Sequence, residues 1–380
     1  MLEKFNNFFF DDSKNNFNIT SDSVPWFLVS CLKKYNLVSF LCNDNKELEE
    51  LSSKLKVLCP NEVVLLFPSF DCPLFSNISS TNLNKALRIK TLCELSNLNT
   101  KRVIVLFTME SIFTDIIPKN TLKNKQLVIN SRKDFRKFSR EKIISFLEKN
   151  SYSRVDTVRQ KGEYSIRGGI LDIFSPSQKF PVRIDFFASE IESIKSFDIV
   201  TQLSYSLIYS TDFIPASEIL INEKSIQNFR TKFREHKILN KDEYYESVSQ
   251  GIAIDGIEQF LSLLYENLEN FLNYITQFKL IVKSNYLELL ENLSTRLVSD
   301  FYDSFDSKKN INIYLKSHNE IVRKISELKL IKISTLINFE NNNEILETTT
   351  HFKEVKKIKS KDDVIAFEKF TKKKINKFNI

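Results

Sequence analysis

The stretch 164–176, YSIRGGILDIFSP, holds two of the five glycines in a chain of 380 residues, and its reading decides what surrounds it. Two adjacent glycines between an arginine and an apolar run suit the central positions of a hairpin turn, where positive φ is needed at one or both. That placement predicts the pairs Arg167 with Ile170, Ile166 with Leu171, Ser165 with Asp172 and Tyr164 with Ile173. Tyr164, Ile166, Leu171 and Ile173 then share one face, and Ser165, Arg167 and Asp172 the other. A slip of one residue would mix the two sets, so the register is well specified. The next run, VRIDFF at 182–187, alternates in the same way: Val182, Ile184 and Phe186 point inward, Arg183, Asp185 and Phe187 outward.

The outward Phe187 is out of keeping with a solvated face. An exposed phenylalanine beside two arginines has the composition of a protein-docking hot spot, and such outward side chains should be removable without loss of stability. A plainer arrangement fits the pattern equally well: Arg167 and Arg183 pair across strands with Asp172 and Asp185, and a helix of the same domain covers Phe187.

Outward from this hairpin the chain shows three textures. From Phe27 to about Lys125, helical segments (LEELSSKL, NKALRIKTLCELSN) alternate with the apolar runs VVLLF at 63–67 and RVIVLF at 102–107. Alternation of this kind predicts an α/β unit with parallel strands buried on both faces. From about Gln126 to Phe213 the period shortens to two, punctuated by Gly, Pro and Ser. Beyond Pro215 the helical pattern returns in SIQNFRTKFREH and in EQFLSLLYENLENFLNYI, where Phe260, Leu264, Leu268, Phe271 and Ile275 predict one amphipathic helix. After Ser334 periodicity is lost, and a lysine-rich tail reads as a linker or solvated face.

Composition excludes several classes. Abundant Phe, Ile, Asn and Lys with scarce Gly, Trp and Met is the bias of an AT-rich coding sequence, so the formal charge of +7 is a weak argument for nucleic acid. Arginine is the informative cation: 13 of the 55 basic residues are Arg, and seven lie between Arg132 and Arg183. The N-terminal MLEKFNNFFFDDSKNN lacks the apolar core and cleavage site of a signal peptide, and no apolar run approaches the roughly 20 residues of a membrane span. Five cysteines without CxxC spacing argue against both a zinc site and a disulfide framework, and the expected location is the cytoplasm. Dispersed His236, His318 and His351, with no GxSxG or HExxH, give no catalytic constellation, so neither catalytic residues, nor metal, nor cofactor is expected.

Residues 151–204, SYSRVDTVRQKGEYSIRGGILDIFSPSQKFPVRIDFFASEIESIKSFDIVTQLS, resemble the inserted domain shared by the excision-repair protein UvrB and the transcription-repair coupling factors (Mfd). FIPASEILI at 213–221 and GIEQFLSLLYENLENFLNYI at 256–275 resemble the blocks that follow it in the coupling factors. FPSFDCPLFSNISSTNLNKALRIKTLCEL at 67–95 fits the region before it. Phe260 stands where that family usually has Trp, and Phe75-Ser76 where it commonly has an aromatic-acidic pair.

The resemblance implies a degenerate helicase-like (RecA-like) α/β lobe with a parallel sheet, interrupted by a small α+β UvrB-interaction domain. The expected division is 1–125 and 215–335 for the lobe, 126–214 for the insert, and 336–380 for a linker and the start of a following domain. It implies docking of the excinuclease subunit UvrA on Arg167, Arg183 and Phe187. RNA polymerase and double-stranded DNA would be engaged through regions absent from this chain, which would itself act as a monomeric, non-enzymatic recruitment module. A working nucleotide site, as in UvrB, would need a glycine-rich loop with GK[ST]. The chain has no glycine before Gly162, and NITSDSVPWFLVSCL stands at the corresponding place, reading as a helix start. UvrB's aromatic DNA-gripping hairpin likewise has no counterpart between Phe67 and Asn84. The alternatives to this reading are a UvrB-like DNA-binding repair protein and a structural domain whose docking face is unused.

Overall fold

Uninterrupted apolar runs such as Val63–Phe67 and Val103–Thr108 are stable as strands only where both faces of a sheet are covered. A computed structural model of the chain describes residues 15–334 apart from 77, 99–101, 124, 131, 189, 237–241, 253 and 305–309. It places these runs in a six-stranded sheet ordered Asn16–Asn18, Lys329–Ser334, Lys279–Lys283, Leu37–Cys42, Val103–Thr108, Val63–Phe67. Every pairing in it is parallel. Alternate residues serve opposite layers. Ile104 and Leu106 pack with the helices Val24–Tyr35 and Asn45–Leu58, while Val103, Val105 and Phe107 pack with Asn82–Ser96, Tyr286–Ser304 and His318–Ser326. This is the α/β lobe expected from the sequence. The tail beyond Ser334 lies outside the described residues.

Between Val103–Thr108 and Lys279–Lys283 the chain builds a second six-stranded sheet. Its order is Ser204–Leu207, Glu190–Phe197, Val182–Phe187, Ile170–Ile173, Glu163–Arg167, Ser153–Arg154, antiparallel throughout except for the last pair. Its inner face packs on Ile143 and Leu147 of the helix Arg140–Lys149, which is capped by Ser139. The strands Leu127–Ile129 and Thr211–Phe213, which flank this unit in sequence, pair antiparallel with each other.

Just past the second unit, where the chain re-enters the lobe, a buried ion pair ties the returning segment down. Arg88 Nε lies 2.6 Å from Glu218 Oε1, and Nη1 donates to the Pro68 carbonyl at 2.8 Å. The guanidinium sits between the rings of Phe67 and Phe70, 4.1 and 4.4 Å from their centroids. Burial without such partners would cost several kcal/mol. Close by, Tyr152 donates its hydroxyl to the Ile214 carbonyl at 2.6 Å and the Ala216 amide donates to Asn150 at 2.9 Å.

One expectation fails. EQFLSLLYENLENFLNYI is not a single helix: it breaks into Ile257–Phe260, Leu261–Leu264, an extended Glu269–Asn270 and Phe271–Tyr274. Phe260, Leu264, Phe271 and Ile275 are all buried as their spacing requires. Tertiary hydrogen bonds outweigh the helix: the Tyr265 hydroxyl accepts from the Leu220 amide and donates to the Glu218 carbonyl, each at 2.9 Å. Asn270 donates to the Ile112 carbonyl at 2.6 Å and caps the next turn through Leu272. Phe260 meets the Tyr314 ring edge-on at 5.8 Å, and Phe75 is buried at φ 65° against Phe301.

The GG hairpin has the register its pattern predicts, Arg167 opposite Ile170 through Tyr164 opposite Ile173. The two glycines serve different needs. Gly168 takes φ +56° with open space around it, whereas a Cβ on Gly169 would lie 2.9 Å from the Phe186 carbonyl oxygen, where the neighbouring strand hydrogen-bonds through the Phe186 amide. Gly169→Ala should therefore lower stability by about 1–3 kcal/mol through overpacking. Gly168→Asn, which tolerates the left-handed region, should cost less than about 1 kcal/mol. Thermal melting of the two variants checks the difference in size: equal losses would mean that both positions are conformational.

Candidate protein-docking face

The outward side of the second sheet is only partly outward. Ser165 and Asp172 are buried there, contrary to the simple two-face expectation. The cause is the segment leading into Glu163–Arg167, which folds back over this side. Ser165 donates to the Asp156 carbonyl at 2.9 Å, and Val158, Phe174 and Phe197 form a small apolar cluster of their own. A second, miniature core thus occupies one end of the face and leaves the other open.

Asp172 sits at the boundary with no exposed surface. Its carboxylate accepts from Arg183 Nε at 2.7 Å and Nη2 at 2.9 Å, and from Arg167 Nη2 at 2.7 Å. Arg183 spends its remaining donor Nη1 on the Gln202 carbonyl at 3.0 Å and, more weakly, the Ser204 hydroxyl at 3.4 Å, and lies over the Phe197 ring at 4.7 Å. Its side chain is 14% exposed, that of Arg167 47%. The hydrogen bonds that Arg183 donates to the Asp172 carboxylate raise its pKa further still. Asp185 pairs not with Arg183 but with Lys195, at 2.8 Å, and accepts from Ser193 at 2.7 Å. Burial pushes its carboxyl up, but these two bonds outweigh it and hold the group below its ordinary value.

Phe187, the last residue of its strand, is 77% exposed, so no helix of the same domain covers it. The sequence patterns thus resolve unevenly. Arg167 and Phe187 face solvent, as a docking surface requires. Arg183 forms the cross-strand pair of the plainer reading, and its fork is fully occupied by its own domain. Asp172, the group on which both arginines converge, was visible in the sequence only as a cross-strand partner.

Among the described residues no cluster of three or more His, Cys, Asp or Glu is placed to hold a metal, and no helix is long and apolar enough to cross a membrane. The thiols are free, and burial pushes Cys31 and Cys93 up to about 12, far from the reactive range.

This geometry corrects the expectation that all outward side chains are dispensable for stability. Arg183→Ala leaves a fully buried carboxylate with one partner of two and should cost about 1–3 kcal/mol. Arg167→Ala removes one half-exposed bond, worth less than about 1 kcal/mol. Melting curves at neutral pH should rank Arg183→Ala well below Arg167→Ala and Phe187→Ala; the reverse order would contradict the assignment of Arg183 as the framework residue.

Residues 133–219 match the family model of the UvrB interaction domain. Over 277 residues the chain is 29% identical to the transcription-repair-coupling factor of Haemophilus influenzae, covering 72% of this chain and 23% of that protein. It is 28% identical over 316 residues to that of Rickettsia conorii (79% and 27%) and 29% over 204 residues to that of Escherichia coli (53% and 17%). The chain spans about a quarter of the length of the first two. It carries a UvrB interaction domain set in a mixed α/β fold with a parallel sheet, and over most of its length it is similar to transcription-repair-coupling factors.

Proposed function

We propose that this chain is the recruitment module of a transcription-repair coupling factor, and that it binds UvrA through the open end of the antiparallel sheet. The observation that carries this is Phe187, 77% exposed at the end of a strand two away from that of the half-exposed Arg167, on a domain matched to UvrB interaction domains. Arg167 and Phe187 make the contact; Arg183 contributes by fixing Arg167 through Asp172 and by the sliver of its own surface left in solvent. Residues 126–214 act as the docking insert, and 1–125 with 215–335 as the lobe that carries it. Regions of the parent protein beyond this chain would engage RNA polymerase and double-stranded DNA, so that UvrA is brought to a polymerase stalled at damage.

The lobe supports a non-catalytic role. The helix Val24–Tyr35 follows a turn at Ser21–Ser23, carries Pro25 in its first turn and has Asp22 beside its start. Proline removes one of the amides that would meet a phosphate, and the carboxylate repels it. The chain should show no saturable ATP binding by calorimetry; micromolar binding lost on mutation of Ser21 to Pro25 would overturn this. DNA binding should be weak, blind to lesions and steeply salt-dependent, which a filter-binding titration across salt concentrations checks. Arg167→Ala and Phe187→Ala should each weaken UvrA binding by about 1–4 kcal/mol with unchanged melting. If both bind normally, the docking face lies elsewhere.

A further inference from the structure

The outward face does not stop at Arg183. Residues paired across neighbouring strands share a face, and one such row runs Asp172, Arg183, Lys195, Leu207. Leu207 therefore lies at the far end of the same face, on the strand Ser204–Leu207 that forms one edge of the sheet. The loop before that strand is tied to Arg183 itself, through its bond to the Gln202 carbonyl, so Leu203 is held next to the arginine.

Thirteen consecutive residues, Ile199–Thr211, carry no charge, in a chain in which 27% of residues do. Within them Val200, Leu203, Tyr205 and Leu207 are each more than half exposed. Exposed sheet edges are ordinarily guarded by lysine, proline or inward-pointing charge, and an apolar patch without such guards marks a contact surface. The backbone is a poor template for an added strand, because the edge strand has four residues and its ladder is interrupted by a bulge between Ser196 and Phe197. The side chains are what it offers.

We propose that this edge is the apolar half of the docking footprint whose basic half is Arg167. The partner then presents an acidic end to Arg167 and an uncharged apolar end to Leu203 and Leu207, and the two halves together fix its orientation. The inference rests on the reading that this face binds UvrA. Continuity selects that occupant: Arg183 and Lys195 bridge the two halves in one row, whereas a second copy of the chain meeting edge to edge would leave Arg167 and Phe187 outside the contact.

The test is an interferometry titration of the chain against UvrA of the same organism, with a melting curve and a sedimentation run for each variant. Leu203→Asp and Leu207→Asp should each weaken binding about tenfold or more, with normal melting, and their effect should persist at high salt, where that of Arg167→Ala shrinks. Leu207→Ser, which adds no charge, keeps the test decisive should Leu207→Asp melt early. If Arg167→Ala and Phe187→Ala weaken binding and the leucine variants do not, the edge is outside the footprint and the extension is wrong while the docking face stands. If all of these variants bind normally, the docking reading falls and this inference with it. If only the leucine variants matter, the footprint is not continuous with Arg167. A dimer that Leu203→Asp dissolves, with UvrA binding unchanged, would assign the edge to a second copy and overturn the proposal.

Discussion

A single buried carboxylate organises the exposed end of this protein. Asp172 cannot be left alone in the interior, because an unpaired buried charge costs several kcal/mol, and it recruits two guanidiniums from two different strands. One of them, Arg183, is consumed in the process: its fork is filled and its plane rests on Phe197. The other, Arg167, keeps nearly half of its surface in water. A pair of arginines that look equivalent in the sequence is thereby divided into a fixed member and an available one.

The same requirement explains why the face is half closed. Burying Asp172 takes a lid over that side of the sheet, which Val158, Phe174 and Phe197 supply from a segment preceding the hairpin and from the neighbouring strands. Where that cluster ends, the side chains of Arg167 and Phe187 emerge. The docking surface is thus defined as much by the edge of a small core as by its own residues.

What the sequence made legible follows from periodicity. Period-two alternation placed every pair of the GG hairpin correctly, and consecutive apolar runs correctly marked strands covered on both faces, because both signals are local and set by burial. Three features were not legible. The break of the helix at Tyr265 depends on hydrogen bonds to Glu218 and Leu220, some 45 residues earlier. The burial of Ser165 and Asp172 depends on a returning loop. The need for glycine at 169 comes from the Phe186 carbonyl of the neighbouring strand. Each is a tertiary contact that leaves no periodic trace. The uncharged run Ile199–Thr211 was legible throughout, but its meaning depends on knowing that it lies at a sheet edge.

The ion pair between Arg88 and Glu218 joins positions 130 residues apart, and most of what separates them is the insert. A flexible chain of that length would impose a closure entropy on the lobe, about 2 kcal/mol more than a ten-residue connection. The insert removes most of that cost by bringing its own ends together, since Leu127–Ile129 and Thr211–Phe213 lie paired side by side. To the lobe it is a short loop. The mechanical consequence is that load applied to a partner held on the far sheet reaches the lobe through a zipped stem whose returning strand is anchored a few residues on by the buried ion pair, rather than through a tether that could slacken.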